Sequence, residues 1–166
     1  MITEPKLEQR RAQPYLGIRT LVSIRTLSRV VPRLLDELRT WMGERDLAGA
    51  GAPFVRFHII RTQTEMDVEM GIPVAGMVPG ARPVSAGILP AGKYASLIYT
   101  GATNRARGNK ALQDWAATRG ITWDRWEQAN GEAFGARLET YLTDPLGEPA
   151  PSTWQTELAI RLADDA

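Results

Sequence analysis

The residues with chemistry to offer are carboxylates set in strand-like segments. In Arg137-Leu138-Glu139-Thr140-Tyr141-Leu142 a period of two places Arg137, Glu139 and Tyr141 together, opposite Leu138 and Leu142. A carboxylate beside a phenol suits a partly apolar pocket. Glu139 can neutralise an amine or cation, or accept a proton, while the Tyr141 ring stacks and its hydroxyl orients. The same segment also reads as an exposed strand on which Glu139 pairs with Arg137, worth little energetically. Glu69 and Glu157 each sit between apolar neighbours, in Val68-Glu69-Met70 and Thr156-Glu157-Leu158. Looking into one partly desolvated groove, these carboxylates would repel, raising at least one pKa and yielding a general acid at neutral pH. Otherwise they solvate an open sheet face.

Much other chemistry is excluded by composition. Cysteine is absent from the 166 residues, which removes disulfides, thiolate metal sites and cysteine nucleophiles together. His58 is the single histidine. A multi-histidine metal site is therefore out of reach, and the alternation around His58 reads as a strand histidine at the surface or satisfied by a hydrogen bond. Lys93 and Lys110 have no neighbour that would lower a pKa for Schiff-base chemistry, and no glycine loop has phosphate-binding spacing. No cofactor or metal is implied. The formal charge of +1 draws the chain neither to nucleic acid nor to anionic lipid. No apolar run approaches the ~18 residues of a membrane span, and the N-terminus has no signal core. A cytoplasmic protein without direct nucleic-acid binding, monomer or homodimer, is expected.

The elements that must position these residues come as a repeat. A strand, an amphipathic helix, a loop and a Glu-bearing strand occur twice, aligning Leu38 with Leu112, Trp41 with Trp115, Leu47 with Ile121 and Glu69 with Glu157. The pattern predicts an α+β domain of duplicated strand–helix–strand–strand halves, an antiparallel sheet with helices on one side and a central concave groove. Residues 1–14 read as a polar arm and 15–166 as one domain, with halves near 15–75 and 84–166. Ser28 is the expected cap of the first helix, with Pro32 in its first turn. The second helix runs from Thr103 or Asn104 to Arg119 and stops at Gly120. Trp41 and Trp115 read as core. Trp123 and Trp126, on a Trp-rich loop from 122 to 135, can stack on a planar ligand or form a peripheral mini-core. Tyr94 and Tyr99 point to opposite faces, so one at most, Tyr99 in our reading, reaches the groove. Alternation leaves the Glu69 face free of helices and so open as the groove.

With Leu89-Pro90-Ala91-Gly92-Lys93-Tyr94, Gly101, Leu112-Gln113-Asp114-Trp115 and Glu139-Thr140-Tyr141-Leu142-Thr143-Asp144-Pro145 in view, the chain resembles the GyrI-like small-molecule-binding family, from about Tyr15 to Leu162. Gly51 to His58, Asp67 to Val74 and Trp154-Gln155-Thr156-Glu157 extend the match. The resemblance implies two strand–helix–strand–strand halves around a cavity, with Glu139 as the central pocket carboxylate and Tyr141 beside it. For this chain the expected ligand is a hydrophobic or aromatic, largely planar small molecule, neutral or cationic. Family members serve as effector-binding domains of multidrug-sensing regulators, as free-standing drug-binding proteins, as a gyrase inhibitor, and as hydrolases of cyclopropanoid alkylators. A small-molecule binder acting by sequestration or sensing is thus expected. The alternatives are a hydrolase, using Glu139 and Tyr141 with Glu69 or Glu157 as substitutes, and a protein-interaction role. Where many members carry Gly-Pro-Tyr before the second helix, this chain has Gly101-Ala102-Thr103; the Trp-rich segment is the expected replacement wall.

Overall fold

In the computed structural model, which describes residues 1–62, 65–147 and 150–164, the two-residue alternations become ten strands. These are β1 (Lys6–Arg10), β2 (Gln13–Val22), β3 (Phe54–Thr62), β4 (Glu65–Pro73), β5 (Ser85–Leu89), β6 (Gly92–Thr100), β7 (Arg125–Gln128), β8 (Gly131–Phe134), β9 (Arg137–Tyr141) and β10 (Gln155–Arg161). The helices are α1 (Ile24–Gly43) and α2 (Arg105–Thr118). One antiparallel sheet runs in the order β1-β6-β10-β9-β3-β4-β2-β5, with the β7–β8 hairpin attached beside β3. The two halves, β2-α1-β3-β4 and β6-α2-β9-β10, meet where β3 pairs with β9 and Val55 lies opposite Glu139. On either side of that seam β4 and β10 take matching places, Met70 opposite Val55 and Leu158 opposite Glu139.

Both helices cover the same sheet face. The α1 stripe Leu27, Val31, Leu34, Leu35, Leu38, Trp41 and Met42 is buried against Leu16, Ile18, Val55, Val68, Met70 and Ile72. α2 places Leu112 and Ala116, with Trp115 partly buried, against Leu97, Tyr99, Leu158 and Ile160. The equivalent tryptophans, Trp41 and Trp115, therefore pack as core. Gly120 ends the α2 region at φ +63, a conformation that glycine adopts without strain.

Three local expectations change. The 1–14 arm contains β1, which pairs with the exposed edge of β6, Glu8 opposite Tyr94. A polar sequence suits an edge strand as well as an arm. The first helix begins a turn earlier than Ser28, because Ser23 and Thr26 form a reciprocal capping box. Pro32 consequently lies inside α1, where it removes the backbone bond to the Ser28 carbonyl. The segment from 122 to 135 is mainly the β7–β8 hairpin, Trp126 opposite Ala133, instead of a loop.

The other face carries a smaller cluster of Tyr15, Phe54, Tyr94, Ala136, Leu138 and Ala159. Here β2 passes so close to Glu69 that a Cβ on Gly17 would lie 2.8 Å from the Glu69 Cγ and Oε2. Gly17→Ala is expected to cost about 2 kcal/mol, since the carboxylate cannot retreat without breaking its hydrogen bonds. A urea midpoint equal to that of the unaltered chain would refute this packing.

Candidate functional site

Tyr99, Thr156 and Tyr141 form one rung across β6, β10 and β9. The next rung brings Leu97, Leu158 and Glu139 side by side on the same, helix-bearing face. Because α1 packs over one half and α2 over the other, the seam between them is left uncovered. A cavity of about 300 Å³ opens there. Ile24, Leu27, Val31 and Pro32 of α1 form one wall, the tyrosine rung forms the floor, and Ala102, Pro145 and Trp154 close the remaining sides. Its volume lies at the lower end of small-molecule pockets, and its lining is mainly apolar with a few convergent polar groups.

Glu139 sits at the end of this floor and is 5% exposed. It does not pair with Arg137. Instead Arg105, the first residue of α2, grips both carboxylate oxygens: its Nε donates at 2.9 and 3.0 Å, its Nη2 at 2.5 Å. Such charge-assisted bidentate contacts are among the stronger polar interactions in proteins. The guanidinium also lies 5.7 Å from the centre of the Phe57 ring. Burial alone would lower the Arg105 pKa, but the charge and hydrogen bonds of Glu139, with Tyr99 and Tyr141, together outweigh it and the pKa rises. Arg137 turns to the Asn109 Oδ1 at 3.3 Å and stacks over Phe134 at 4.9 Å. Burial pulls its pKa down, and the Arg105 charge adds to that, while Glu139 acts in the opposite sense.

The phenols remain protonated. Burial, then the Glu139 charge, pushes Tyr99 up to about 12. Tyr141 is raised well above its ordinary value by burial first, with Glu139 and Tyr99 adding to it. Both hydroxyls are thus available as donors at neutral pH.

Glu69 and Glu157 are elsewhere. Cross-strand pairing sets Glu157 opposite Thr140, not Glu139, so both carboxylates point to the face away from the helices. Glu157 accepts from Arg10 Nη2 at 2.8 Å. Glu69, 5% exposed, accepts from the Tyr15 hydroxyl at 2.5 Å and lies 2.8 Å from His58 Nε2. Arg56 Nη1 in turn donates to the Tyr15 hydroxyl at 3.0 Å. The expected groove of mutually repelling carboxylates therefore does not form. Burial raises the Glu69 pKa, but the hydrogen bonds from His58 and Tyr15 prevail and it is lowered. His58 is satisfied by a hydrogen bond, one of the two bland readings of its strand.

Trp123 packs into the α2 cluster, with Nε1 donating to Gln113 Oε1 at 2.9 Å. Trp126 lies on the outer hairpin, 48% exposed. Neither lines the cavity; Trp154 does. The residue that sequence reasoning missed is Arg105. It lies far from Glu139 along the chain, at the start of a helix, with no spacing signal linking the two. Among the described residues no group of three or more acidic or histidine side chains is arranged to hold a metal ion. No helix among them is long and apolar enough to cross a membrane.

Comparison with known proteins agrees with the fold. The C-terminal domain of EcmrR superimposes with a TM-score of 0.71 at 16% identity, covering 97% of this chain and 98% of that one. In the EcmrR–DNA complex the TM-score is 0.76 at 16% identity; the match covers 99% of this chain but 58% of the regulator. A protein described as a hydrolase from Listeria innocua matches with a TM-score of 0.64 at 12% identity, over 96% and 92% of the two chains. SAV2435 bound to tetraphenylphosphonium gives 0.57 at 14% identity, over 97% and 94%. These likenesses show the fold. No curated protein matches the sequence. Residues 3–163 match the GyrI-like small molecule binding domain, and the chain belongs to that family.

Proposed function

We propose that the cavity between α1 and α2 binds hydrophobic, aromatic small molecules, and that the chain acts by sequestering or sensing them. The observation that carries this reading is the cavity itself: an apolar α1 wall, a floor of two tyrosine rings, and a buried charge pair at one end. Aromatic rings in such a site gain contact area without large rotamer losses. Tetraphenylphosphonium bound to SAV2435 is a ligand of this aromatic kind, which supports the reading by analogy. Hydrolysis has less support here, because both Glu139 oxygens already accept from Arg105 instead of being presented to water.

Intrinsic fluorescence tests the proposal, because Trp154 lines the cavity while Trp126 stands outside it. Titration with a panel of planar aromatic compounds is expected to quench emission in the unaltered chain and in Trp126→Phe. In Trp154→Phe most of the change is expected to vanish. Silence across the panel, or quenching indifferent to Trp154, would remove the proposal.

A further inference from the structure

The polar end of the cavity has an unequal supply of donors and acceptors. Glu139, the buried carboxylate there, already receives three contacts from Arg105, which take up both of its oxygens. The guanidinium is the more accessible partner, 31% exposed against 6% for the Glu139 side chain, and both residues line the cavity. With Nε and Nη2 turned to Glu139, the Nη1 edge is left over as a donor. The Tyr99 and Tyr141 hydroxyls, held protonated, are donors as well. Arg137, two residues along the same strand face, stays outside the cavity lining, held by Asn109 and the Phe134 ring. Among the residues lining the cavity, the Glu139 charge is thus already matched by Arg105.

The sides of α1 reinforce the imbalance. Arg25, Arg29 and Arg33 recur every four residues on exposed positions, next to the Ser28–Pro32 side of the helix that lines the cavity. A cation seeking Glu139 in this site would have to expel Arg105 from a buried bidentate pair. An acceptor would find the donors already in place.

From this we infer that Arg105 sets the ligand's polarity: the cavity takes an aromatic molecule ending in an acceptor group, a carboxylate above all, and selects against an ammonium of the same shape. The inference rests on the cavity being the binding site. It makes Arg105 an internal competitor for the place that a cationic ligand would occupy beside Glu139. Removing Arg105 converts the site to cation binding, and neutralising Glu139 frees Arg105 for the anion.

Isothermal titration with three probes of like shape tests this: 2-naphthoate, 2-naphthamide and 2-naphthylmethylammonium. The unaltered chain is expected to bind naphthoate at least tenfold tighter than the ammonium, with the amide between. Arg105→Gln should reverse the order, losing at least tenfold for naphthoate and gaining for the ammonium. Glu139→Gln should tighten naphthoate about tenfold, and it keeps the test decisive if Arg105→Gln fails to fold. An unaltered chain that prefers the ammonium, or Glu139→Gln with unchanged naphthoate affinity, overturns the inference while leaving the binding proposal standing. No heat from any probe at millimolar concentration overturns both.

Discussion

Tyr141→Ala is expected to weaken binding of an aromatic ligand about a hundredfold. Tyr141 completes the tyrosine rung of the cavity floor, next to Glu139 on β9. Roughly half of a tyrosine's buried area facing the ligand is worth about 2 kcal/mol, and a favourable ring–ring contact adds about 1 kcal/mol. Together they correspond to about two orders of magnitude in Kd. Tyr141→Phe keeps the ring and loses one donor, so its expected loss is several-fold only. The pair of variants separates stacking from hydrogen bonding. Since Tyr141 also packs against the α1 cluster, near-ultraviolet circular dichroism should accompany the titration. An affinity for Tyr141→Ala within threefold of the unaltered chain would place the ligand elsewhere.

Loss of the Glu69 network has the largest expected effect on stability. Glu69→Ala leaves the Tyr15 hydroxyl, which keeps its contact from Arg56, without an acceptor, and takes away the partner of His58 on the covered side of the sheet. The expected cost is about 3 kcal/mol in denaturant unfolding. The same site shapes the acid limb. Burial pushes the Glu69 carboxyl up, yet hydrogen bonds from His58 and Tyr15 hold it below its ordinary 4.5 in the folded chain. Above pH 4.5 both states are ionised and the stabilisation is fully present. As pH falls further, the unfolded chain takes up the proton first, and the stabilisation drains away until the folded carboxyl protonates too. Glu8 and Asp144 are lowered as well, so the informative quantity is the difference between variants. Glu69→Gln is expected to flatten the stability curve below pH 4.5 relative to the unaltered chain; parallel curves would dissociate the network from acid sensitivity.

The fold was legible because its signals are local. Alternation along Phe54–Thr62 and Glu65–Pro73, the apolar stripe from Leu27 to Met42, and the stop at Gly120 each follow from backbone geometry and burial of one face. The β1 strand was not legible: Lys6–Arg10 is polar, and its place depends on a neighbour, β6, more than eighty residues away. The hairpin at Arg125–Phe134 was hidden for a similar reason. Its β7 residues are exposed, so no apolar periodicity marks them.

For the site, the residues by themselves determined that Glu139 and Tyr141 share a strand face, that Tyr99 is the tyrosine of its strand facing away from Tyr94, and that thiol and multi-histidine chemistry are closed to this chain. What they left open was which strand faces coincide and what meets Glu139 in space. Alternation has a period of two, so a shift of one residue in pairing moves a whole set of side chains to the other side. The tertiary register placed Thr140 and not Glu139 opposite Glu157, so Glu139 came to the helix-bearing face. Glu69 and Glu157 lie on the helix-free face, which is covered and is not the groove. Docking of α2 then delivered Arg105 onto Glu139 and turned a solitary anion into a neutralised pair. Strand parity is set within a few residues, whereas charge pairing depends on how distant elements pack.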